Sequence, residues 1–276
     1  MKMNNAKKQI TTFVILFTTF SIIVYTLFLT GFIKHGFNLW IMWCPGVAAI
    51  ITRLIHQRNL RNFGWGWGKT RYQAASYFLP LLLALIVYGI VWLTGLGEIS
   101  VENFTNSIAK FFGLTEPLSL LPSFLILASI IIFLSGIAAF GEEIGWRGLL
   151  VPELAKLTSY TRVSLISGAV WAVWHIPGIL FVGYTSGITA WFTIPCFAVM
   201  VISASFVFTW LRLKSGSVWT AVILHTTHNL FIQGFFDVLT VDTGNTKYIT
   251  TEFGIGLAIA YAVAAFICWK KRNELA

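Results

Sequence analysis

Charged side chains are scarce in this chain of 276 residues: they make up 11% of it, and only 10 residues are Asp or Glu. Soluble domains carry about a quarter charged residues, so the composition excludes an ordinary soluble globular protein. The chain has only three cysteines and no CxxC pair, which argues against a disulfide framework or a thiolate metal site. Long polar inserts and low-complexity tracts are also lacking, so residues 1–276 are predicted to form a single membrane domain.

Apolar residues are abundant instead, at 57% of the chain, and the mean hydropathy is +0.79. A helix needs roughly 20 mostly apolar residues to cross the hydrocarbon core of a bilayer, and eight runs approach or exceed this length. The shortest is the second, which contains Pro45 and Gly46. The sequence therefore predicts an all-α polytopic membrane protein with eight transmembrane helices, near 10–32, 39–55, 75–95, 118–140, 163–182, 187–211, 217–236 and 253–269.

The net charge of +9 reports membrane orientation and not a nucleic-acid partner. With eight spans, all of the 19 basic residues except Lys34, Lys110 and Lys247 fall on one alternate set of connections. Basic residues concentrate on cytoplasmic connections, so both termini are predicted to be cytoplasmic. The partner implied by this charge is the lipid bilayer, and a bacterial plasma membrane is the expected location.

Three polar clusters interrupt the apolar runs. Ionisable groups at membrane depth are costly unless they face a protein interior or a wet cavity, so such positions are candidates for function. In the first cluster, Glu143 and Arg147 are four residues apart and are predicted to pair on one helical face. Glu142, about 100° around the helix, is then free to point elsewhere. Taken alone, this cluster also fits an interfacial salt bridge with a spare carboxylate.

The second and third clusters contain histidines. His175 lies four residues after Trp171, and Pro177 follows at once, so the helix is predicted to kink or open beyond the histidine. In the third cluster, His225 and Asn229 share a face. Each cluster alone also fits a structural hydrogen bond between helices. Together, however, the clusters supply a base, a group that handles the proton and donors for an oxyanion, which amide hydrolysis requires.

These clusters resemble the signature of the CPBP family, the intramembrane proteases related to the prenyl-protein (CAAX) endopeptidase and to bacterial Abi proteins. The family has Glu-Glu-x-x-x-Arg, aromatic-x-x-x-His and His-x-x-x-Asn motifs, and the three occur here in that order. Trp171 stands where phenylalanine is commoner, a difference expected to affect packing and not chemistry. The resemblance implies an intramembrane endopeptidase whose active site lies in the helical bundle, within a protease core at about 118–236.

The resemblance also implies a role for each matching residue. Glu142 would activate water, and His175 would help to hold that water. His225 and Asn229 would stabilise the oxyanion. The supporting pair, which would brace the motif helix, is Glu143 with Arg147.

The family is often described as metalloproteases, so a zinc site formed by Glu142, His175 and His225 is an alternative. The HExxH spacing of zinc proteases is absent, and we therefore expect no metal and no other cofactor. Two further alternatives belong to other classes of function. Buried acids and histidines also form proton relays, as in a proton- or ion-coupled transporter, although no internal repeat is visible. The second of these alternatives is a non-catalytic immunity or scaffold protein. For a protease, the expected substrate is a peptide or a membrane-anchored protein.

Overall fold

The structure is a computed structural model that describes residues 2–275, and most of these residues are helical. The helices are α1 (Lys2–Leu29), α2 (Phe37–Gln57), α3 (Thr70–Leu93), α4 (Val101–Phe111), α5 (Leu120–Ala155), α6 (Tyr160–Val182), α7 (Ala190–Ser215), α8 (219–239), α9 (Thr246–Ile249) and α10 (Ile255–Lys270). Polar residues of the three motifs lie where α5, α6 and α8 meet.

Within residues 2–275, six helices are long and apolar enough to cross a membrane, namely α1, α2, α3, α5, α6 and α7. The chain is thus an all-α integral membrane protein, as predicted. The predicted count of eight spans is not confirmed. The seventh and eighth predicted spans do correspond to helices, but α8 carries the polar residues His225, His228, Asn229 and Gln233, and α10 has only 16 residues.

Two short strands and helix α4 lie at one end of the helical bundle. Strand β1 (Gly97–Ile99) pairs antiparallel with β2 (Thr240–Asp242), with Gly97 opposite Asp242. The surface helix predicted from Val101 to Phe112 is present as α4. Ser100 caps it by accepting a hydrogen bond from the backbone of Asn103 at 3.1 Å. Phe104 is buried against Phe235, with ring centroids 5.2 Å apart, so α4 packs on the bundle.

Helix α2 lies unusually close to α5, directly beside the first motif. A Cβ atom at Gly145 would lie 2.4 Å from Cβ of Pro45, and one at Gly141 would lie 2.8 Å from the Trp43 ring. Small residues allow such close approach of membrane helices. Pro45 and Gly46, which lie in the short second span predicted from the sequence, are therefore part of this contact.

Each motif lies at a π-helical segment. Ile144–Leu150 follows Glu142 and Glu143 in α5, Gly178–Val182 follows His175 in α6, and Asn229–Phe236 begins at Asn229 in α8. π-Helical turns widen the helix and are frequent at functional sites. The opening of the helix beyond His175, predicted from Pro177, is confirmed by the segment that starts at Gly178.

A buried ionic cluster ties three helices together at the end away from α4. The Arg53 guanidinium on α2 donates to Gln9 of α1 at 3.0 Å and to Glu153 of α5 at 2.9 Å. Glu153 also accepts from Lys156 at 2.7 Å. Because each charge has a partner, the cluster is a structural anchor. Cys44, Cys196 and Cys268 are free thiols.

Candidate active site

Two tryptophan side chains hold the carboxylate of Glu142. The indole Nε1 of Trp146 donates to Glu142 Oε2 at 3.2 Å, and that of Trp171 donates to the same oxygen at 2.9 Å. Glu142 is almost fully buried, with 1% of its surface exposed, yet it lines the main cavity of the bundle. With Oε2 occupied by two donors, Oε1 is the oxygen left to interact with a ligand in the cavity.

Glu143 makes the ion pair predicted for it, and one further contact. Its two carboxylate oxygens each lie 3.0 Å from the Arg147 guanidinium. In addition, Nδ1 of His225 lies 2.9 Å from Glu143 Oε1. The predicted role of Glu143 as a brace within its own helix is therefore incomplete, because this carboxylate also orients the histidine of the third motif across the helix interface.

Arg147 is buried between two aromatic rings. Its guanidinium carbon lies 4.3 Å from the centre of the Trp171 ring and 4.0 Å from that of Phe208. Cation–π contacts of this kind stabilise a desolvated guanidinium. Arg212 holds the helical turn at Arg147, since its Nε donates to the backbone carbonyl of Arg147 at 2.8 Å. The Arg147 side chain thereby links the first motif to the second.

His175 faces the cavity in a defined tautomer. Its Nδ1 lies 2.8 Å from the carbonyl oxygen of Trp171. A carbonyl can only accept a hydrogen bond, so the Nδ1 atom carries the proton and the Nε2 lone pair is free. The ring packs edge-on against Trp174, at 4.8 Å between centroids, and in a tilted arrangement against Phe197, at 5.0 Å. Among the described side chains, Nε2 makes no hydrogen bond, so it is available to a ligand.

Asn229 lies one turn beyond His225 on the cavity wall. Its Nδ2 donates a long hydrogen bond, 3.4 Å, to Ser135 Oγ on α5. His225 is buried, and Asn229 is half-buried. The two therefore present an imidazole and an amide to the same space, as their spacing predicts.

All four predicted catalytic residues line a single cavity of about 650 Å³. This volume falls within the usual range for small-ligand sites. The remaining wall is largely aromatic and aliphatic, and includes Tyr25, Phe37, Phe111, Ile131, Met200 and Phe208.

A second polar cluster, which the motifs did not predict, lines the same cavity. The Glu252 carboxylate accepts hydrogen bonds from the Tyr184 hydroxyl and, at 3.0 Å, from Gln233 Nε2. Its other oxygen lies 3.5 Å from His228 Nε2. Burial alone would raise the pKa of the Glu252 carboxyl, but the hydrogen bond and charge of His228 and the bond from Tyr184 hold that pKa below its ordinary value. Glu252 is therefore an ionised carboxylate.

Several of these residues had no usable signal in the sequence. Trp146 occupies a variable position of the first motif, and Ser135 is one hydroxyl among several in its span. Tyr184 and Glu252 lie in connecting loops, 68 residues apart. The replacement of phenylalanine by Trp171 was expected to affect only packing, but the indole also donates a hydrogen bond to Glu142.

The zinc alternative finds no ligand cluster among residues 2–275. Within them, no three His, Cys, Asp or Glu side chains converge in a way that could hold a metal ion. The contacts of the three residues leave Glu142 Oε1 and the Nε2 atoms of His175 and His225 without a hydrogen bond among the described side chains. The absence of metal therefore stays a prediction.

Comparison with known proteins identifies the region that holds the site. A family model described as "Type II CAAX prenyl endopeptidase Rce1-like" matches residues 123–231. A curated relative, CAAX prenyl protease 2 of Methanococcus maripaludis, is 30% identical over 142 residues, which cover 49% of this chain and 49% of the relative. The chain thus spans about half the length of the curated relative that it matches. The family resemblance drawn from the three motifs is confirmed, and all three motifs lie within the matched residues.

Proposed function

We propose that this chain, whose residues 123–231 match the model of the Rce1-like type II CAAX prenyl endopeptidases, is an intramembrane endopeptidase in which Glu142 activates water. The observation that carries the proposal is the arrangement at one cavity: Glu142, with its Oε1 free, and His175, with its Nε2 free, line the same cavity. A water molecule between them can donate to both acceptors. Its oxygen is then oriented for attack on a bound peptide carbonyl.

The proposed reaction uses the chain's own residues throughout. As the water oxygen bonds to the carbonyl carbon, its proton passes to Glu142. The negative charge that develops on the carbonyl oxygen is stabilised by Asn229 Nδ2 and by Nε2–H of His225 in its imidazolium form. Glu143 balances the imidazolium charge through the 2.9 Å contact with Nδ1. Glu142 finally returns its proton to the amine as the C–N bond breaks.

The proposed substrate is a peptide or a membrane-anchored protein whose scissile segment enters the apolar cavity. The relative from Methanococcus maripaludis is named a CAAX prenyl protease, which adds prenylated proteins to the substrates to be tried. The proposed location is a bacterial plasma membrane. Both termini are proposed to be cytoplasmic, which rests on the distribution of basic residues.

The test is cleavage of a fluorogenic peptide panel, with and without prenylation, by purified protein in detergent. We expect the parent to cleave at least one peptide and Glu142→Gln to lose two or more orders of magnitude in kcat, as removal of a general base implies by roughly 10²- to 10⁴-fold. Glu98→Gln, an exposed acid on β1 away from the cavity, is the matched control. Equal rates for the parent and Glu142→Gln would refute the proposal, and proton-coupled uptake by vesicles would favour the transporter.

We further propose that the activity needs no metal. Activity should then persist after exhaustive chelation, with no stoichiometric zinc in the active protein. Loss of activity on chelation and its recovery with zinc, matched by metal content, would instead assign Glu142, His175 and His225 as ligands.

A further inference from the structure

Glu252 is a second buried carboxylate on the cavity wall, and the mechanism above does not use it. It lies in the loop between α9 and α10, outside residues 123–231, with 5% of its surface exposed. A buried carboxylate is costly unless it is paired and hydrogen-bonded. The several hydrogen-bonding partners of Glu252 therefore require an explanation.

The partners of Glu252 come from three separate segments. Tyr184 lies in the loop after α6, Gln233 and His228 lie on α8, and Tyr261 on α10 extends the cluster through a 2.8 Å contact with His228 Nδ1. Tyr184, Gln233, His228, Tyr261 and Glu252 all line the cavity. The network thus joins the loops at one end of the bundle to the wall of the site.

Tyr184 connects this network to the second motif. Its ring packs against the His175 imidazole at 5.7 Å between centroids, with an angle of 30° between the planes. Phe253, next to Glu252, packs edge-on against the same tyrosine at 5.1 Å. Since Nδ1 of His175 is fixed by only one hydrogen bond, the rotation of the ring about that bond depends on the side chains that pack against its faces.

We propose that Glu252 is a positioning residue: by holding the Tyr184 hydroxyl, it keeps the tyrosine ring against His175 and so fixes the imidazole that shares the cavity with Glu142. The inference rests on the proposed function as far as catalysis is concerned. The positioning itself is a property of the folded protein and can be measured without turnover.

A matched pair nearby separates positioning from simple anchoring of the loop. The Tyr88 hydroxyl donates to Asp237 and accepts from the backbone N–H of Thr251 at 3.0 Å, next to Glu252. It is also a buried tyrosine–carboxylate pair that holds the same loop, but neither residue lines the cavity. Tyr88→Phe should therefore reproduce the loss of an anchor without disturbing His175.

The kinetic test compares Tyr184→Phe, Glu252→Ala, the double variant and Tyr88→Phe. We expect each of the first two to lower kcat roughly tenfold with KM within about twofold, and the double variant to lose no more than either, because residues that act through one bond are not additive. Glu252→Gln, which keeps an acceptor oxygen for Tyr184, should recover part of the loss. Tyr88→Phe should keep the parental kcat.

The structural test uses protein with isotope-labelled histidine and follows the ring resonances of His175 by NMR. They should move in Glu252→Ala, where Tyr184 is intact, and stay in place in Tyr88→Phe. Unmoved His175 resonances in both Glu252→Ala and Tyr184→Phe, additive losses of kcat, or an equal loss in Tyr88→Phe would each overturn the inference. If the parent shows no Glu142-dependent cleavage, the proposed function fails, and the resonances still decide whether Glu252 positions His175.

Discussion

The indole nitrogen of Trp171 lies 2.9 Å from Oε2 of Glu142, and the backbone carbonyl of the same tryptophan lies 2.8 Å from Nδ1 of His175. One residue therefore orients both groups proposed to hold the water. Its ring also covers the Arg147 guanidinium. A phenylalanine here would keep the carbonyl and the aromatic face but could not donate to Glu142.

Trp171→Phe tests this contact. A hydrogen bond to a charged group contributes about 1.5 to 3 kcal/mol, so we expect kcat to fall by roughly 10- to 100-fold if the bond is needed to orient the base. KM should change little, because the indole nitrogen is engaged with Glu142 and not with substrate. The measurement is steady-state kinetics on the best peptide of the panel.

Trp92→Phe is the control for this substitution. Its indole donates to Thr240 at 3.1 Å, and it stacks on Phe236, but it does not line the cavity. It should lose a comparable neutral hydrogen bond without a change in kcat. Parental kinetics in Trp171→Phe would mean that Trp146 alone orients Glu142.

Glu143→Gln should lower both stability and catalysis. The substitution leaves the buried Arg147 without a counter-charge, and breaking one side of a buried pair costs about 3 to 5 kcal/mol. It also weakens the contact that orients His225, so we expect kcat to fall even when it is expressed per folded molecule. Thermal unfolding in detergent and active-site titration give the two quantities.

Glu153→Gln provides the comparison, because Glu153 is equally buried and paired with Arg53 but lies away from the cavity. It should lose stability while each folded molecule keeps the parental kcat. If Glu143→Gln behaves in the same way, Glu143 only braces its helix, as the sequence alone predicted.

Gly145→Ala should destabilise the contact of α2 with α5. The new methyl group would meet Pro45 at 2.4 Å, with backbone atoms at 2.7 Å, so the helices would have to separate. Overpacking of this kind costs about 1 to 3 kcal/mol, visible as a lower midpoint of thermal unfolding. Gly89→Ala on α3, where no atom lies within 4 Å, should be neutral or stabilising. A parental midpoint for Gly145→Ala would show that this contact is loose.

Cysteine labelling tests the topology. In a version that lacks Cys44, Cys196 and Cys268, single cysteines at Arg61 and at Asn245, both exposed, should react with an impermeant reagent from opposite sides of the membrane. This follows because the distribution of basic residues places residue 61 on the cytoplasmic side and residue 245 outside. Labelling of both from one side would contradict a topology of eight spans.

The amino-acid sequence by itself determined the membrane character and the elements that carry the three motifs. Long apolar runs can satisfy their backbone only as helices in lipid, and spacings of four residues place side chains on one helical face whatever surrounds them. For this reason the Glu143–Arg147 pair and the shared face of His225 and Asn229 could be predicted. The family resemblance then supplied the proposed roles.

Tertiary packing decided which groups meet across helices. Trp171 and Glu142 are 29 residues apart, and Tyr184 and Glu252 are 68 residues apart, so no helical periodicity links either pair. The number of spans also stayed undecided, because polar residues of the third motif interrupt the apolar run of α8 and α10 has only 16 residues. A contact between residues far apart in sequence forms only when two helices pack in one register. That register depends on the fit of their surfaces, as at Gly145 and Pro45, and this fit exists only in the folded chain.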